Sequence, residues 1–440
     1  RYTARTMTHV FPSGRRETLR LRLASGKTVD ATANHPFLTV EGWRPLGAVR
    51  MGSRIATPRH LPAPLKPTPW AVDEIVMLAH LLGDGSFVRG QPVRYASREA
   101  ANLAAVTEAA RHFGVTPIRD EDAAAPVCTL TLGPPGRLAR DGRNPLVEWL
   151  AGLALFGLRS DETFVPAGVF CLPKRQLTLF LRHLWATGGS MRNGRIDCSS
   201  TSRRLLEDLS RLLLRYGITA SLRTVTPSRH RPRHTLDICG RDDQLRFLRE
   251  IGVHGRAERC RELTTRQVSP AGTPTVDTIP REVWGRVRAI LTDEGTSDRQ
   301  LAVAPDTSVS GSRVATHAQG RQRLARVAAV LDDVDLDLHA TNDVVWDEVV
   351  AIEALGERDV FDATVMGVHN FIANGVATHN SIEQDADVVI LLHRDDYYDK
   401  ESPRAGEADF IVAKHRNGPT DTVTVAAQLH LSRFVDMAIV

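Results

Sequence analysis

The chain has 440 residues, of which 42% are hydrophobic and 25% charged, and its formal net charge is +4. This composition is typical of folded domains with real cores, and it excludes a disordered chain. No apolar run is long enough for a transmembrane helix and no signal peptide is visible, so we expect a soluble, cytoplasmic protein without a membrane partner. Because this net charge is only mildly positive, any surface that binds nucleic acid must be a local basic patch. The five cysteines form no CxxC pair, which argues against a structural zinc or a disulfide framework: Cys128, Cys171, Cys198, Cys239 and Cys260.

The first predicted elements are two strands joined by a Gly-Lys turn. In TLRLRLASGKTVDATANHPFLTV the apolar residues recur at every second position, which is typical of a half-buried strand. The tripeptide that begins at Gly26 is not a phosphate loop, because that motif needs a glycine where Leu21 stands. The stretch also carries Thr32, Asn34 and His35 as TxNH, and a lone strand histidine is more often structural than catalytic.

A proline-rich linker, RHLPAPLKPTPW, precedes a predicted buried helix in VDEIVMLAHLLGDGSF. Ala79 and Gly83, four residues apart, would let another helix approach closely before Asp84 and Gly85 end this one. About a hundred residues later, LTLFLRHLWATGGSM repeats the arrangement. The sequence therefore predicts a pair of crossing helices.

The next segments are a leucine-spaced helix, a basic cluster and a helical appendage. SSTSRRLLEDLSRLLLRYGITASLR carries leucines at helical spacing. SRHRPRH (228–234), between two strand-like runs, is either a hairpin tip that contacts DNA phosphates or a solvated basic loop. Residues 266–341 contain helical runs such as REVWGRVRAIL and RQRLARVAAVL, and we predict a small helical appendage whose role the sequence does not reveal.

Three motifs, in order, resemble the splicing blocks of inteins, which adopt the all-β Hint fold. They are GKTVDATANHPFLT, DVFDATVMGVHNFIANG, and GVATHN directly before Ser381. Each motif is weak alone, but the ordered set is specific. The resemblance implies a splicing domain formed by residues 1–66 and 342–380, interrupted by a large insertion. Its first block would lie before Arg1, which does not fit the usual first residue, so full splicing would need the missing N-terminal helicase and intein portion as a partner.

The resemblance also implies a role for each junction residue. Asn380 would cyclise on its own carbonyl, His379 would protonate or polarise the scissile peptide, and His369 would help to deprotonate the Asn380 amide. Ser381 would be the downstream nucleophile, and Asp362 would couple the two ends. Thr32 and His35 would strain or polarise the upstream bond. Splicing of this kind needs no cofactor.

The paired helices resemble those of LAGLIDADG homing endonucleases, which implies an α/β endonuclease-like domain over residues 67–265. In that family each helix presents one acid at its foot, and the two acids share Mg²⁺ over the scissile phosphates of DNA. Here Asp84 matches one acid, but Gly188 stands at the other position, His183 replaces a small residue at the crossing, and Thr163 replaces a lysine. We therefore expect a decayed nuclease.

Residues 381–440 resemble the C-terminal end of the RecA-like motor domain of DnaB-family replicative helicases. The resemblance assigns Lys414 and Arg416, as KxR, to the γ-phosphate of ATP bound by a neighbouring subunit. It implies ATP and Mg²⁺ as cofactors of the complete helicase, a homohexamer after splicing, and a part in the primosome. The chain contains no GxxxxGK[ST] motif, so we do not expect it to bind ATP alone.

The predicted architecture is multidomain: an all-β Hint splicing domain, interrupted by an α/β LAGLIDADG endonuclease-like domain, and followed by a piece of a RecA-like α/β helicase domain. The predicted function is autocatalytic splicing, or C-terminal cleavage at Asn380, within a host that unwinds DNA in replication. Two alternatives stay open. One is a working site-specific endonuclease, and the other is an inert structural fragment of a helicase hexamer.

Overall fold

The computed structural model describes thirteen stretches of the chain: residues 2–120, 127–133, 144–192, 194–226, 231–238, 240–266, 278–293, 319–365, 370–379, 388–398, 402–415, 421–428 and 433–437. The chain forms two compact units. The first comprises residues 1–5, 17–358 and 372–377, and the second comprises residues 6–16, 359–371 and 378–440. Among the helices in these stretches, none has the length and apolar character needed to cross a membrane.

Five strands open the chain, and the alternating pattern of the first two forms a hairpin. They pair antiparallel, with Thr18 opposite Thr32 and Arg22 opposite Thr28. Gly26, in the turn between them, has a φ of +86°, a conformation that costs glycine little and other residues more. The strands are β1 (Met7–Leu23), β2 (Thr28–Thr32), β3 (Pro36–Thr39), β4 (Gly42–Pro45) and β5 (Arg54–Pro58), with a 3₁₀ turn at Leu46–Ala48.

Residues 72–266 repeat one plan, in which a long helix leads into an antiparallel sheet. The first half contains α1 (Val72–Asp84), β6 (Gly85–Ser86), β7 (Val93–Ser97), α2 (Ala100–His112), β8 (Thr116–Asp120), β9 (Cys128–Gly133) and α3 (Pro145–Gly152). The second contains α4 (Ala167–Phe170), α5 (Lys174–Gly188), β10 (Gly189–Arg192), β11 (Arg195–Ser200), α6 (Arg203–Leu213), β12 (Ala220–Val225), β13 (Arg233–Ile238), α7 (Arg241–Arg246) and α8 (Ala257–Arg266), with a 3₁₀ turn at Leu214–Tyr216 and a π-helical turn at Phe247–Ile251. The two sheet orders are β6-β7-β9-β8 and β10-β11-β13-β12.

The predicted helix pair is α1 and α5, and the two helices pack closely in one large core. All residues of α1 from Ile75 to Leu82 are buried. A Cβ built on Gly83 would lie 1.8 Å from Thr187 Oγ1 of α5, so a larger residue at position 83 would force the helices apart. The glycine predicted to permit close helix approach therefore does so. The core also takes the leucine face of α6, whose N-terminus is capped by Ser202 Oγ accepting from Leu205 N at 3.1 Å.

Within the first unit, residues 278–293 and 319–341 form a small group of helices around their own apolar core. Its elements are β14 (Thr278–Ile279), α9 (Arg281–Asp293), β15 (Gln319–Gly320), α10 (Arg321–Leu331) and α11 (Val334–Thr341). Trp284 of α9, Leu324 and Val327 of α10, and Leu336 of α11 are all buried in that core. The two helical runs read from the sequence are therefore helices, α9 and α10.

The chain then returns to the sheet that it left at residue 58. The returning strands are β16 (Val344–Val365), β17 (Asn370–Ala373) and β18 (Val376–His379). They complete an eight-stranded sheet of order β17-β18-β3-β5-β16-β1-β2, with β4 on β3, called here the N-terminal sheet. Val344 pairs with Pro58, and Arg59 N donates to Asp343 O at 2.7 Å. The chain thus leaves and re-enters on neighbouring strands.

Residues from both ends of the first unit share one core under this sheet. Leu21, Phe37 and Ile55, from before the insertion, pack in the same cluster as Val349 and Val376, from after it. All five are no more than 1% exposed. Since these side chains come from segments far apart in sequence, neither segment could bury its apolar face alone.

The C-terminal residues form a four-stranded antiparallel sheet in the second unit. Its elements are β19 (Val388–His393), α12 (Asp395–Tyr398), β20 (Glu407–His415), β21 (Thr422–Gln428) and β22 (Arg433–Asp436), with strands in the order β19-β20-β21-β22. Arg404 donates two hydrogen bonds to Asp409, at 2.9 and 2.7 Å, and Thr424 Oγ1 donates a third at 2.7 Å. These bonds lower the pKa of Asp409 to about 2 and tie β20 to β21.

Candidate functional site

Thr32 and His35 lie together at the end of β2, in a tight turn of the first unit. His35 N donates to Thr32 O at 3.1 Å, and the Thr32 hydroxyl donates to Asn34 Oδ1 at 2.6 Å. The His35 ring packs edge-on against buried Phe37, with centroids 5.4 Å apart, and Leu46 N donates to His35 O at 2.9 Å. The turn therefore holds two side chains of the predicted TxNH motif half-buried at one place.

The second unit contains Asp362 and His379. Asp362 lies on β16, where its carboxylate accepts from Ala363 N at 2.9 Å. His379 is the last residue of β18, directly after Thr378, which is 1% exposed and donates from Oγ1 to Phe371 O at 3.3 Å. The other predicted junction residues, His369, Asn380 and Ser381, lie outside the described residues.

Asp84 and Gly188, the predicted pair of helix feet, line one cavity of about 610 Å³, called here the helix-foot cavity. The other lining residues come from the end of α1 and the start of β6, from the loop between α3 and α4, and from β11, β13 and the residues beside them: Leu82, Gly83, Gly85, Ser160, Thr163, Ser199, Ser200, Thr201, Arg231 and Arg233. Of the lining residues, Asp84 alone carries a carboxylate. Burial raises the pKa of that carboxyl above its usual value, because the charged form loses hydration there.

These residues do not fit a two-metal nuclease centre. Magnesium ions that bridge scissile phosphates are held by carboxylates, and the glycine at position 188 removes one of the two expected. The described stretches contain no group of three His, Cys, Asp or Glu side chains able to hold a metal ion. The arginines and hydroxyls of the cavity suit an anion rather than a cation.

Three histidines and one tyrosine meet where α1 and α5 cross, and we call this group the crossing cluster: His80, His183, His254 and Tyr95. His80 Nε2 lies 3.0 Å from His183 Nδ1, and His80 Nδ1 lies 2.9 Å from the Tyr95 hydroxyl. The His254 ring stacks on His183 with centroids 4.1 Å apart. At the position where we expected a small residue, His183 is buried in the crossing with its Nδ1 facing His80 of α1.

Burial lowers the pKa of both His80 and His183 to about 3, and neighbouring histidines add to the effect. The unfolded chain binds these protons near pH 6.5 and the folded chain does not, so stability should be complete above pH 6.5 and fall as the pH drops towards 3. At pH 5 each histidine should cost about 2 kcal/mol of unfolding free energy.

Urea unfolding at pH 7 and pH 5 measures this loss. In His183→Gln, which cannot titrate, the loss between the two pH values should shrink by about one histidine's share, roughly 2 kcal/mol. An unchanged loss in that variant would show that His183 is not held neutral in the folded protein.

Of the two residues predicted to contact ATP, the described residues include only Lys414. Its backbone lies on β20, paired with Val389 of β19, at the end of the strand. Arg416 lies outside the described residues. The Arg404–Asp409 bonds beside β20, and the places of His80 and His254 in the crossing cluster, were not predicted from the sequence. A histidine in the middle of an otherwise apolar helix, as in LAHLL, was the available signal for His80.

Two family models match parts of the chain. The LAGLIDADG-like domain matches residues 175–252, and the DnaB-like helicase C terminal domain matches residues 372–436. The first range contains α5, with Gly188, and the second contains the C-terminal sheet.

Similar proteins fall into two groups by coverage. The replicative DNA helicase DnaB of Nostoc sp. is 36% identical over 98% of this chain and 50% of its own length. The DnaB helicase of Mycobacterium leprae is 76% identical, but over only 13% of this chain and 10% of its own. A crystal structure of an Ssp DnaB mini-intein variant covers 86% of this chain and 72% of its own at 12% identity, with a TM-score of 0.22, too low to assign a fold.

This chain spans about half the length of the DnaB relatives that it matches over nearly all its residues. It therefore contains a LAGLIDADG-like domain and a DnaB-like helicase C-terminal segment, and it has homologues among replicative DNA helicases.

Proposed function

We propose that this chain is part of a DnaB-type replicative helicase interrupted by an intein, with the N-terminal sheet as a Hint-type splicing domain. One observation carries the proposal. The segments with the first and third splicing-block motifs share a core, and strands from before and after the insertion lie in one sheet, although a domain of another kind separates them in sequence. That is the organisation expected of a self-processing domain that has received an insertion.

The two groups of relatives support this proposal. One DnaB relative resembles nearly the whole chain at 36% identity, whereas another resembles only 13% of it, at 76%. When an intein interrupts a host gene, we expect a short and highly similar host segment next to a long, divergent segment that some relatives lack.

The proposed reaction at the junction is cyclisation of Asn380. Its side-chain nitrogen attacks its own backbone carbonyl carbon, the peptide bond to Ser381 breaks, and the departing amine takes a proton as the succinimide forms. An amide is a poor nucleophile, so the rate depends on a near-attack geometry and on proton transfer. We assign proton donation to His379 and assistance in amide deprotonation to His369.

The upstream half of splicing would use Thr32 and His35 to polarise or strain the first scissile bond. Asp362 would couple the two ends, and Ser381 would accept the upstream acyl group through its hydroxyl. No cofactor is needed for these steps. Full splicing additionally needs an upstream helicase and intein portion that these 440 residues do not contain, whereas C-terminal cleavage needs only residues present here.

Incubation of the folded protein near neutral pH tests the proposal. Intact mass should show two products over hours to days: residues 1–380 ending in a succinimide, which is one water lighter than the free acid, and residues 381–440 beginning with Ser381. A chain that keeps its full mass would favour the alternative of an inert structural fragment of a helicase.

We also propose that the LAGLIDADG-like domain has lost DNA cleavage. With Gly188 at one helix foot, the in-line displacement lacks a carboxylate that a two-metal site needs, a deficit that typically costs orders of magnitude in rate. A DNA carrying the uninterrupted helicase gene should stay uncut in Mg²⁺. Metal-dependent cutting that disappears in Asp84→Asn would instead support the alternative of a working endonuclease.

Gly188→Asp is the matched gain-of-function variant. A Cβ at this position would lie 3.1 Å from Ser199 O and 3.5 Å from Cys198 Sγ, so the new side chain needs only a small local shift. Partial restoration of cutting in this variant, reversed by a second change of Asp84→Asn, would identify the missing acid as the cause of inactivity.

For the host protein we propose ATP-dependent DNA unwinding by a homohexamer, with ATP and Mg²⁺ bound by residues outside this chain. Lys414 and Arg416 would act across the subunit interface on the γ-phosphate of ATP. An arginine there offers a planar, permanently charged donor pair where negative charge develops.

A further inference from the structure

Helix α6 of the LAGLIDADG-like region contacts a turn of the N-terminal sheet through Arg203. The Arg203 guanidinium donates from Nη2 to Gly26 O at 2.8 Å, in the turn between β1 and β2. Beside it, Leu222 N of β12 donates to Ser25 O at 2.7 Å. A Cβ on Gly26 would lie 2.1 Å from Leu222 O, so backbone meets backbone at this place.

The same helix contacts a second turn through Arg211. Arg211 Nη2 donates to Asn374 Oδ1 at 3.2 Å, in the turn between β17 and β18. Asn374 and Gly375 have φ values of +50° and +77°, which define a tight hairpin turn. The Lys27 side chain passes 3.3 Å from where a Cβ of Gly375 would stand, so the two turns adjoin each other.

Acidic residues on α6 hold both arginines in place. Glu207 Oε1 accepts from Arg203 Nε at 2.8 Å. Asp208 Oδ1 accepts from Arg211 Nη1 at 2.8 Å, and the other Asp208 oxygen accepts from Val165 N at 3.1 Å. Because Asp208 is buried and anchored to its own domain, Arg211 is presented in one orientation. We call Arg203 and Arg211, with their acceptors Gly26 O and Asn374 Oδ1, the α6 clamp.

The two clamped turns lead directly into the strands that carry proposed splicing residues. β2 follows the first turn and ends at Thr32, and β18 follows the second and ends at His379, next to Asn380. Because Val376 is fully buried and Ala377 is only 4% exposed, a displacement of the turn would also move the strand that follows it. Asparagine cyclisation is sensitive to sub-ångström placement.

We propose that the α6 clamp is a positioning device for splicing, so that the nuclease-like domain supports the reaction although it no longer cuts DNA. This inference rests on the proposed function. Arg203 and Arg211 are positioning residues that act through the strands.

Substitution at Asn374 separates the clamp from the turn. Asn374→Gly keeps the positive φ and removes the acceptor, whereas Asn374→Asp keeps an acceptor for Arg211. C-terminal cleavage should slow about 3- to 30-fold in Asn374→Gly and stay within about twofold of wild type in Asn374→Asp. In an Arg211→Gln background, Asn374→Gly should cause no further slowing, because the contact is already lost.

Arg204→Ala is the matched control on the same helix. Its guanidinium packs over the Phe164 ring at 4.1 Å, within its own domain, and its loss should leave the cleavage rate unchanged. Wild-type cleavage in Asn374→Gly, or equal slowing in Asn374→Gly and Asn374→Asp, would overturn the positioning role.

Hydrogen–deuterium exchange separates failure of the clamp from failure of the proposed function. In Asn380→Ala protein, which cannot react, amides of residues 372–379 should exchange about ten times faster when Asn374→Gly is added, and Asn374→Asp should leave them protected. If the wild-type protein never cleaves, the splicing proposal fails, and the positioning role fails with it. The exchange measurement then still shows whether the clamp orders the strand. Unchanged exchange together with unchanged cleavage would reject the clamp itself.

Discussion

Asn380→Ala should abolish the appearance of the 381–440 product altogether. The alanine methyl group has no nitrogen to attack the backbone carbonyl, so the cyclisation has no nucleophile and no amount of proton transfer from His379 can replace it. Folding should be unaffected, because the change removes only a few side-chain atoms. Intact mass over several days, with the circular dichroism spectrum as a folding check, measures the effect.

Ser381→Ala is the matched control for that variant. It removes the downstream hydroxyl, so it should spare C-terminal cleavage while preventing any splicing with an added N-terminal portion. Release of the 381–440 peptide from Asn380→Ala at the wild-type rate would reject cyclisation and point to a contaminating protease.

Arg416→Ala in the spliced, full-length helicase should abolish ATP turnover and leave the hexamer intact. A finger arginine stabilises charge that develops in phosphoryl transfer, and in enzymes that use one its loss costs about 10³- to 10⁵-fold in rate. The change removes one guanidinium, so we expect the hexamer to keep its size on a sizing column. ATPase rate and light scattering on the same preparation separate the two effects.

Arg433→Ala serves as the control in the same sheet. Its guanidinium donates to Gln428 on the paired strand at 2.7 Å, and it has no assigned part in catalysis. Turnover should persist in that variant, and persistence in Arg416→Ala as well would remove the finger assignment.

Local patterns predicted the secondary structure around the sites well. Alternation around Gly26 predicted the β1–β2 hairpin, and the Asp84-Gly85 pair marked the end of α1 where the helix does end. The family matches confirm the multidomain plan with a LAGLIDADG-like domain and a DnaB-like segment. The Hint arrangement, the domain boundaries and the catalytic assignments remain predictions.

Sequence patterns did not predict the contacts between segments that lie far apart in the chain. His183 stands where the LAGLIDADG resemblance implies a small residue, and a sequence shows the size of a side chain but not the partners that a polar ring finds on another helix. The approach of Arg211 to Asn374, 163 residues away, likewise depends on how two domains pack. Hydrophobic periodicity reports which face of an element is buried, and it is silent on what that face meets.

The inserted segment leaves the N-terminal sheet at Arg59 and returns to it at Asp343. The closeness of these two points affects the entropy cost of closing the chain between them. A structureless loop of that length would cost roughly 4 kcal/mol more to close than a four-residue hairpin. The inserted segment escapes most of that cost, because its own folding brings its two ends to within one hydrogen bond, 2.7 Å from Arg59 N to Asp343 O. A folded insert of this kind behaves thermodynamically as a short turn, so its length adds little to the entropy cost of forming the host sheet.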